Sequence, residues 1–191
     1  AGQATHEGNP AHAYDWKKQR ARETELKKNL NQGNVIPTPG DVPWVYPPTY
    51  LFVAWLAFLP YWGALIAYSV AGLAVYAVAM RKFLPPYKDA LWVLAAFPGT
   101  FINLFAGQNG AITTALMAAG LYFLDKAPIA AGLAFGALSY KPHLFIVIPL
   151  VLFVGRHWKA LASTLASATV YASFSLAVWG KDSWIAFFEN S

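Results

Sequence analysis

The sequence predicts an all-α protein, a polytopic bundle of transmembrane helices preceded by a polar N-terminal segment on the outer face. Three observations carry this reading. Charged residues make up only 12% of the 191 residues, whereas soluble domains average about 25%. The charges are also unevenly placed: no Asp, Glu, Lys or Arg occurs from Val42 to Met80, from Ala90 to Leu124 or from Ala160 to Gly180. Each of these runs meets or exceeds the roughly 20 apolar residues that cross a hydrocarbon core of about 30 Å. Finally, 57% of the residues are hydrophobic and mean hydropathy is +0.39, which leaves too little polar surface to coat a soluble domain of this size.

Residues 1–45 are polar and rich in turn formers, with EGNP at the start and NQGN and PTPGDVP further on. Between them, DWKKQRARETELKKNL is built from good helix formers and reads as a short amphipathic helix at the membrane surface, with Asp15 as its N-cap. Residues 46–191 form the transmembrane domain. YPPTYLFVAWLAFLP holds about a dozen apolar residues, too few to span, so 47–59 reads as a re-entrant or interfacial helix. Spans follow at about 61–80, 90–106, 111–124, 127–140, 142–155 and 160–179. RKFLPPYKD is a basic loop between the first two, and GQNG turns the chain after the second. The prolines and glycines mark breaks that neighbouring helices must stabilise.

Lys and Arg concentrate in cytoplasmic loops, and this decides how 127–155 is threaded. As one long helix it would put Lys126 and the GRHWK cluster at 155–159 on opposite faces. As a hairpin broken at Lys141–Pro142 it puts both on one face with Arg81, Lys82 and Lys88. The hairpin is expected, with the N-terminal segment, GQNG, KPH and the WGKD loop on the outer face. The six basic residues within 17–28 run against it, but lie more than about 15–20 residues from the first apolar segment, where the rule weakens.

Several classes are disfavoured. The chain has no cysteine and four scattered histidines, so disulfides and thiolate metal sites are out and no zinc spacing such as HExxH appears. No metal and no cofactor is expected. The net charge of +5 follows from basic cytoplasmic loops, which explain it better than nucleic acid does. The expected partner at this level is the lipid bilayer.

Lys141 is the conspicuous charge, since no other Asp, Glu, Lys or Arg lies between Ala127 and Gly155. Each hairpin arm of about 14 residues rises roughly 21 Å, short of the ~30 Å core. Lys141 therefore lies below the outer surface, where it either snorkels to the interface or marks a functional site.

The order of these motifs resembles a known family. VYPPTYLF, then AFPGTFINLFAGQNGAITTAL, then GLAFGALSYKPHLFIVIPLVLFVGRHWKAL and the closing AVWGKDSWIAFFENS, together with AYDW near the start, are similar to bacterial glycosyltransferase family 87. The resemblance implies a GT-C architecture and a hexosyltransferase that inverts the anomeric centre. Its donor would be a polyprenyl-phosphate sugar, commonly mannose, used on the outer face of the bacterial cytoplasmic membrane with a lipid or glycan acceptor. It also implies an aspartate general base in a stretch preceding Ala1, with further spans after Ser191, so that this segment alone would not turn over. Asp15 is the nearest remaining acid and a fallback for the base, although its surroundings suit a cap.

For a departing phosphate, Lys141 supplies fixed positive charge and His143 a neighbouring donor, while Pro142 holds the break. Gln108 and Asn109, flanked by glycines, suit sugar hydroxyls or form a plain turn. Tyr46 either stacks on a sugar or anchors the interface. A transporter or channel, or a non-catalytic membrane scaffold, is the alternative; broken helices suit a transporter, but no inverted internal repeat is visible.

Overall fold

A computed structural model describes residues 2–30, 44–83, 92, 95–105 and 107–190. The described residues are helical or turn, with no strand among them. They fall into two compact units, Ala1–Ala57 with Ala172–Ser191, and Phe58–Tyr171.

In the first unit, α1 (Gly2–His6) and α2 (Trp16–Leu30) flank a 3-10 turn at Pro10–Tyr14, and a longer 3-10 segment runs from Pro48 to Phe58. Its core gathers Ala4, Ala13, Tyr14, Leu51 and Phe187, with Trp44, Trp179 and Trp184 packed around them. Burial pushes the Tyr14 phenol well above its usual pKa range, and its hydroxyl donates to the Tyr46 carbonyl at 3.0 Å. Phe52 stacks on Phe174 at 5.2 Å. The NQGN and PTPGDVP stretches lie outside the described residues.

The second unit is built on α3 (Tyr61–Phe83), α4 (Pro98–Phe105), α5 (Gly110–Phe123), α6 (Pro128–Ala137) with a 3-10 turn at Leu138–Tyr140, α7 (Pro142–Val154) and the first part of α8 (Trp158–Asn190). The expected basic loop begins later than read, because Arg81 and Lys82 still belong to the last turn of α3; residues 84–90 lie outside the described residues. So do residues 90, 91, 93 and 94 of the expected 90–106 span ahead of α4. Two helices, Trp62–Phe83 and Trp158–Asn190, are long and apolar enough to cross a membrane. At 1.5 Å per residue the 23 residues of α3 rise roughly 34 Å, enough for a core of about 30 Å.

Large apolar side chains stay uncovered: Ile66, Val70 and Val78 on α3, and Ile146, Leu150 and Val154 on α7, the last 73% exposed. A soluble monomer rarely leaves such continuous apolar faces to water. Lipid covers them here, and the fold is of the membrane type.

Without a hydrophobic drive between helices in lipid, small residues at the contacts let backbones approach. Gly132 and Gly136, one turn apart on α6, meet α8: a Cβ on Gly132 would lie 2.4 Å from Ser163 Cβ and 2.6 Å from the Ala160 carbonyl oxygen. One on Gly136 would lie 2.5 Å from Ser167 Cβ and 2.8 Å from the Thr164 carbonyl oxygen. The close approach allows a hydrogen bond between the helices, from Ser163 Oγ to the Ile129 carbonyl at 2.9 Å. The Phe135 ring lies over Gly120 in the same way, at 2.3 Å from a Cβ placed there, and joins α6 to α5.

The WGKD stretch is not the loop expected from its composition. Two helical stretches of α8 meet at Gly180, whose φ of 75° and ψ of 165° fall in a region open essentially to glycine alone. One residue absorbs the change of direction, and Trp179 and Lys181 on either side remain helical.

Candidate functional site

The GQNG turn owes its shape to the backbone. α4 ends with Gly107 at φ +58°; the Gly107 N–H donates to the Leu104 carbonyl at 3.3 Å and the Gln108 N–H to the Asn103 carbonyl at 2.9 Å. This is the paired 5→2 and 6→1 pattern of a glycine-terminated helix. α5 then starts with Asn109 at its N-cap, but the Asn109 side chain makes no capping bond. The cap comes from the preceding helix: Asn103 Oδ1 accepts from the Ala111 N–H at 3.2 Å. Asn103 thus closes the turn from both ends.

The KPH break is likewise set locally. Proline disfavours the α conformation in the residue before it, and Lys141 is extended at φ −116°, ψ 87°. Pro142 then occupies the first position of α7, where its missing N–H costs nothing. The Lys141 carbonyl accepts from the N–H groups of Leu144 and Phe145, both at 3.0 Å. Folding therefore uses the carbonyl of Lys141, a half-buried residue whose ammonium makes no hydrogen bond or ion pair among the described residues.

Turn and break are joined by two hydroxyls that the sequence reading passed over. Thr113 Oγ1 donates to the Asn109 carbonyl at 2.9 Å and lies 2.8 Å from the Tyr140 hydroxyl. A threonine hydroxyl has one hydrogen, so Tyr140 donates and Thr113 accepts. Tyr140 directly precedes Lys141, so the structure brings the KPH break against the GQNG turn. Asn109 is buried there at 3% exposure, whereas Gln108 and His143 are exposed. A signal for Asn103, Thr113 and Tyr140 was present: polar groups within apolar helices are costly and mark sites.

At the other end of the same helices the cations gather. Lys126 Nζ sits 4.0 Å from the centre of the Tyr122 ring, and Lys82 lies over Tyr122 and Phe123 at 5.9 Å and 5.5 Å. Asp125 Oδ1 is 3.9 Å from His157 Nδ1, so the chain entering α6 and the chain leaving α7 meet.

Tyr46 and Asp15 belong to the first unit. Tyr46 packs its ring on Tyr50 at 4.6 Å and on Trp44 at 5.5 Å. Asp15 is the N-cap of α2: its Oδ1 accepts from the N–H groups of Lys17 at 3.1 Å and Lys18 at 3.2 Å. The Lys18 amide foremost, with the nearby cations, holds its carboxyl below the usual range, which makes it a weaker base. Because the folded-state pKa is depressed, the cap is fully present above the unfolded value of about 3.9 and is lost as pH falls through the folded value. Asp15→Ala is expected to destabilise α2 by about 1 kcal/mol, read by hydrogen exchange. Asp15→Asn keeps the cap and is expected to leave the activity of the full chain unchanged; a hundredfold loss would return Asp15 to the role of base.

Among the described residues no group of three or more His, Cys, Asp or Glu is placed to hold a metal ion. Apolar helices with uncovered faces, and a polar turn held against a basic break between them, define a helical membrane protein with a polar cluster among its helices. The chain belongs to glycosyltransferase family 87, whose profile matches residues 44–191; it is a membrane glycosyltransferase. No curated protein matches the chain, and no solved structure does.

Proposed function

We propose that the chain moves a hexose, mannose foremost, from a polyprenyl-phosphate donor to a lipid or glycan acceptor on the outer face of a bacterial cytoplasmic membrane, with inversion in a GT-C type architecture. The observation that carries this reading is the Lys141 ammonium, without a partner among the described residues and one residue on from Tyr140, which reaches Thr113 beside the glycine-flanked turn, in a chain of a glycosyltransferase family. Fixed positive charge away from water is what a departing phosphate requires. Lys141 binds that phosphate with His143 as a second donor, and the Gln108–Asn109 turn meets sugar hydroxyls. Tyr46, in the first unit, serves as an aromatic anchor at the membrane interface. Asp15, engaged as a cap, stays out of the chemistry.

The full chain in membrane vesicles, offered polyprenyl-phosphate hexoses and nucleotide sugars in parallel, tests the donor class. Transfer is expected from the former only, and transfer from nucleotide sugars alone would overturn the proposal. The face is tested separately by single cysteines, since the chain has none of its own. Positions 126 and 181 are expected to react with an impermeant reagent from opposite sides in intact cells. Reaction of both from one side would remove the hairpin topology, which at present draws support from the basic cluster around Tyr122.

A further inference from the structure

A cavity of about 160 Å³ opens beside the GQNG turn, lined by Tyr76 of α3, Phe97, Thr100 and Asn103 in and next to α4, and Gly110 and Thr114 of α5. It is open on one side, and its size is of the order of one small ring. A protein cavity of about 150 Å³ takes one six-membered ring, while drug-sized ligands occupy roughly 300–1,000 Å³. Its chemistry is selective. Asn103 Oδ1 is committed to the Ala111 N–H, which fixes the amide and leaves Nδ2 as a two-hydrogen donor without a hydrogen bond among the described residues. The Thr114 hydroxyl spends its hydrogen on the Gly110 carbonyl at 2.9 Å, so its oxygen remains an acceptor. Gly110 keeps the amide in position, since a Cβ there would lie 2.6 Å from Asn103 Oδ1. The aromatic side chains of Tyr76 and Phe97 with one fixed donor and one fixed acceptor suit a ring that carries hydroxyls. A lipid chain would leave the amide donors unmet, at a cost.

We propose that this cavity seats the pyranose ring of the transferred hexose, Asn103 Nδ2 donating to one ring hydroxyl and Thr114 Oγ1 accepting from another. The inference rests on the polyprenyl-phosphate-sugar reading above and adds the residues that hold the sugar itself. Gln108 and Asn109 do not line this cavity; they form the turn that leads into Gly110, which does.

The test uses the full chain in membrane vesicles with polyprenyl-phosphate mannose as donor. Asn103→Asp keeps the acceptor for Ala111 and removes both donor hydrogens; Thr114→Val removes the acceptor at nearly constant volume; Thr114→Phe fills the cavity from a helix position whose side chain borders open space. Each of the first two is expected to raise the donor KM about tenfold, the loss of one or two hydrogen bonds, and the third to raise it further. Inhibition by sugar-free polyprenyl phosphate is expected to stay at the wild-type level in all three, which also reports that the variants are folded. An unchanged KM in Thr114→Phe, or a parallel loss of polyprenyl-phosphate inhibition, would overturn the seat. Failure of the donor reading shows instead in the wild type, as absence of transfer from polyprenyl-phosphate mannose and other polyprenyl-phosphate hexoses.

Discussion

Lys141→Met is expected to lower kcat for sugar transfer by roughly two to three powers of ten, the scale seen when one electrostatic donor to a developing oxyanion is removed. The donor KM changes less, because charge builds on the phosphate mainly in the transition state. Lys141→Arg retains part of the rate, since the charge stays while the compact ammonium geometry is lost. The substitutions isolate the side chain, because the N–H groups of Leu144 and Phe145 are bound by the Lys141 carbonyl and α7 starts the same way in every variant. A lysine that merely snorkels gives the opposite pattern. Methionine then leaves transfer intact and raises expression, as removal of a charge from membrane depth relieves about 2.5–3.5 kcal/mol on insertion scales. Near-normal transfer by the Met variant, with equal or better expression, would take Lys141 out of the site.

The second large effect is on stability. Gly132→Ala and Gly136→Ala each destabilise the second unit by about 1–3 kcal/mol, the cost of overpacking a well-packed contact. At both positions the new methyl meets a backbone carbonyl, at 2.6 Å and 2.8 Å, so the helices themselves must separate. Gly63→Ala is the control: its methyl meets nothing closer than 3.8 Å, and the gain in helix propensity makes it neutral or stabilising. Denaturation midpoints in detergent compare the three. If Gly136→Ala melts with the Gly63 variant, α6 and α8 do not approach as closely as described.

Class and family were legible in the sequence because they depend on coarse features. Long uncharged runs announce helices in lipid whatever their partners. The Lys141–Pro142 break follows from a steric rule that acts between adjacent residues, and the Asp15 cap from a side chain that reaches its own helix. What stayed hidden depends on partners distant in the chain. Asn103 caps α5 from the preceding helix, and Tyr140 reaches Thr113 across 27 positions; no local pattern encodes either. Helix faces were hidden for a different reason. PHLFIVIPLVLFV is apolar all round, so no period distinguishes the packed residues Ile148 and Leu152 from those left to lipid. The WGKD stretch misled because its composition suits a loop, while a single glycine torsion does the same turning.

The Asn103–Gly107 arrangement has a consequence on the scale of evolution. Since main-chain bonds and one glycine hold the turn after α4, the exposed side chain at position 108 contributes little to keeping the chain folded. Descendants of this sequence can exchange Gln108 for residues of other size or polarity and stay viable at each step. Such a position is robust to mutation and, if the proposed contact of the turn with sugar hydroxyls holds, open to selection at once, so that new sugar preferences would arise there by drift rather than by rebuilding the fold.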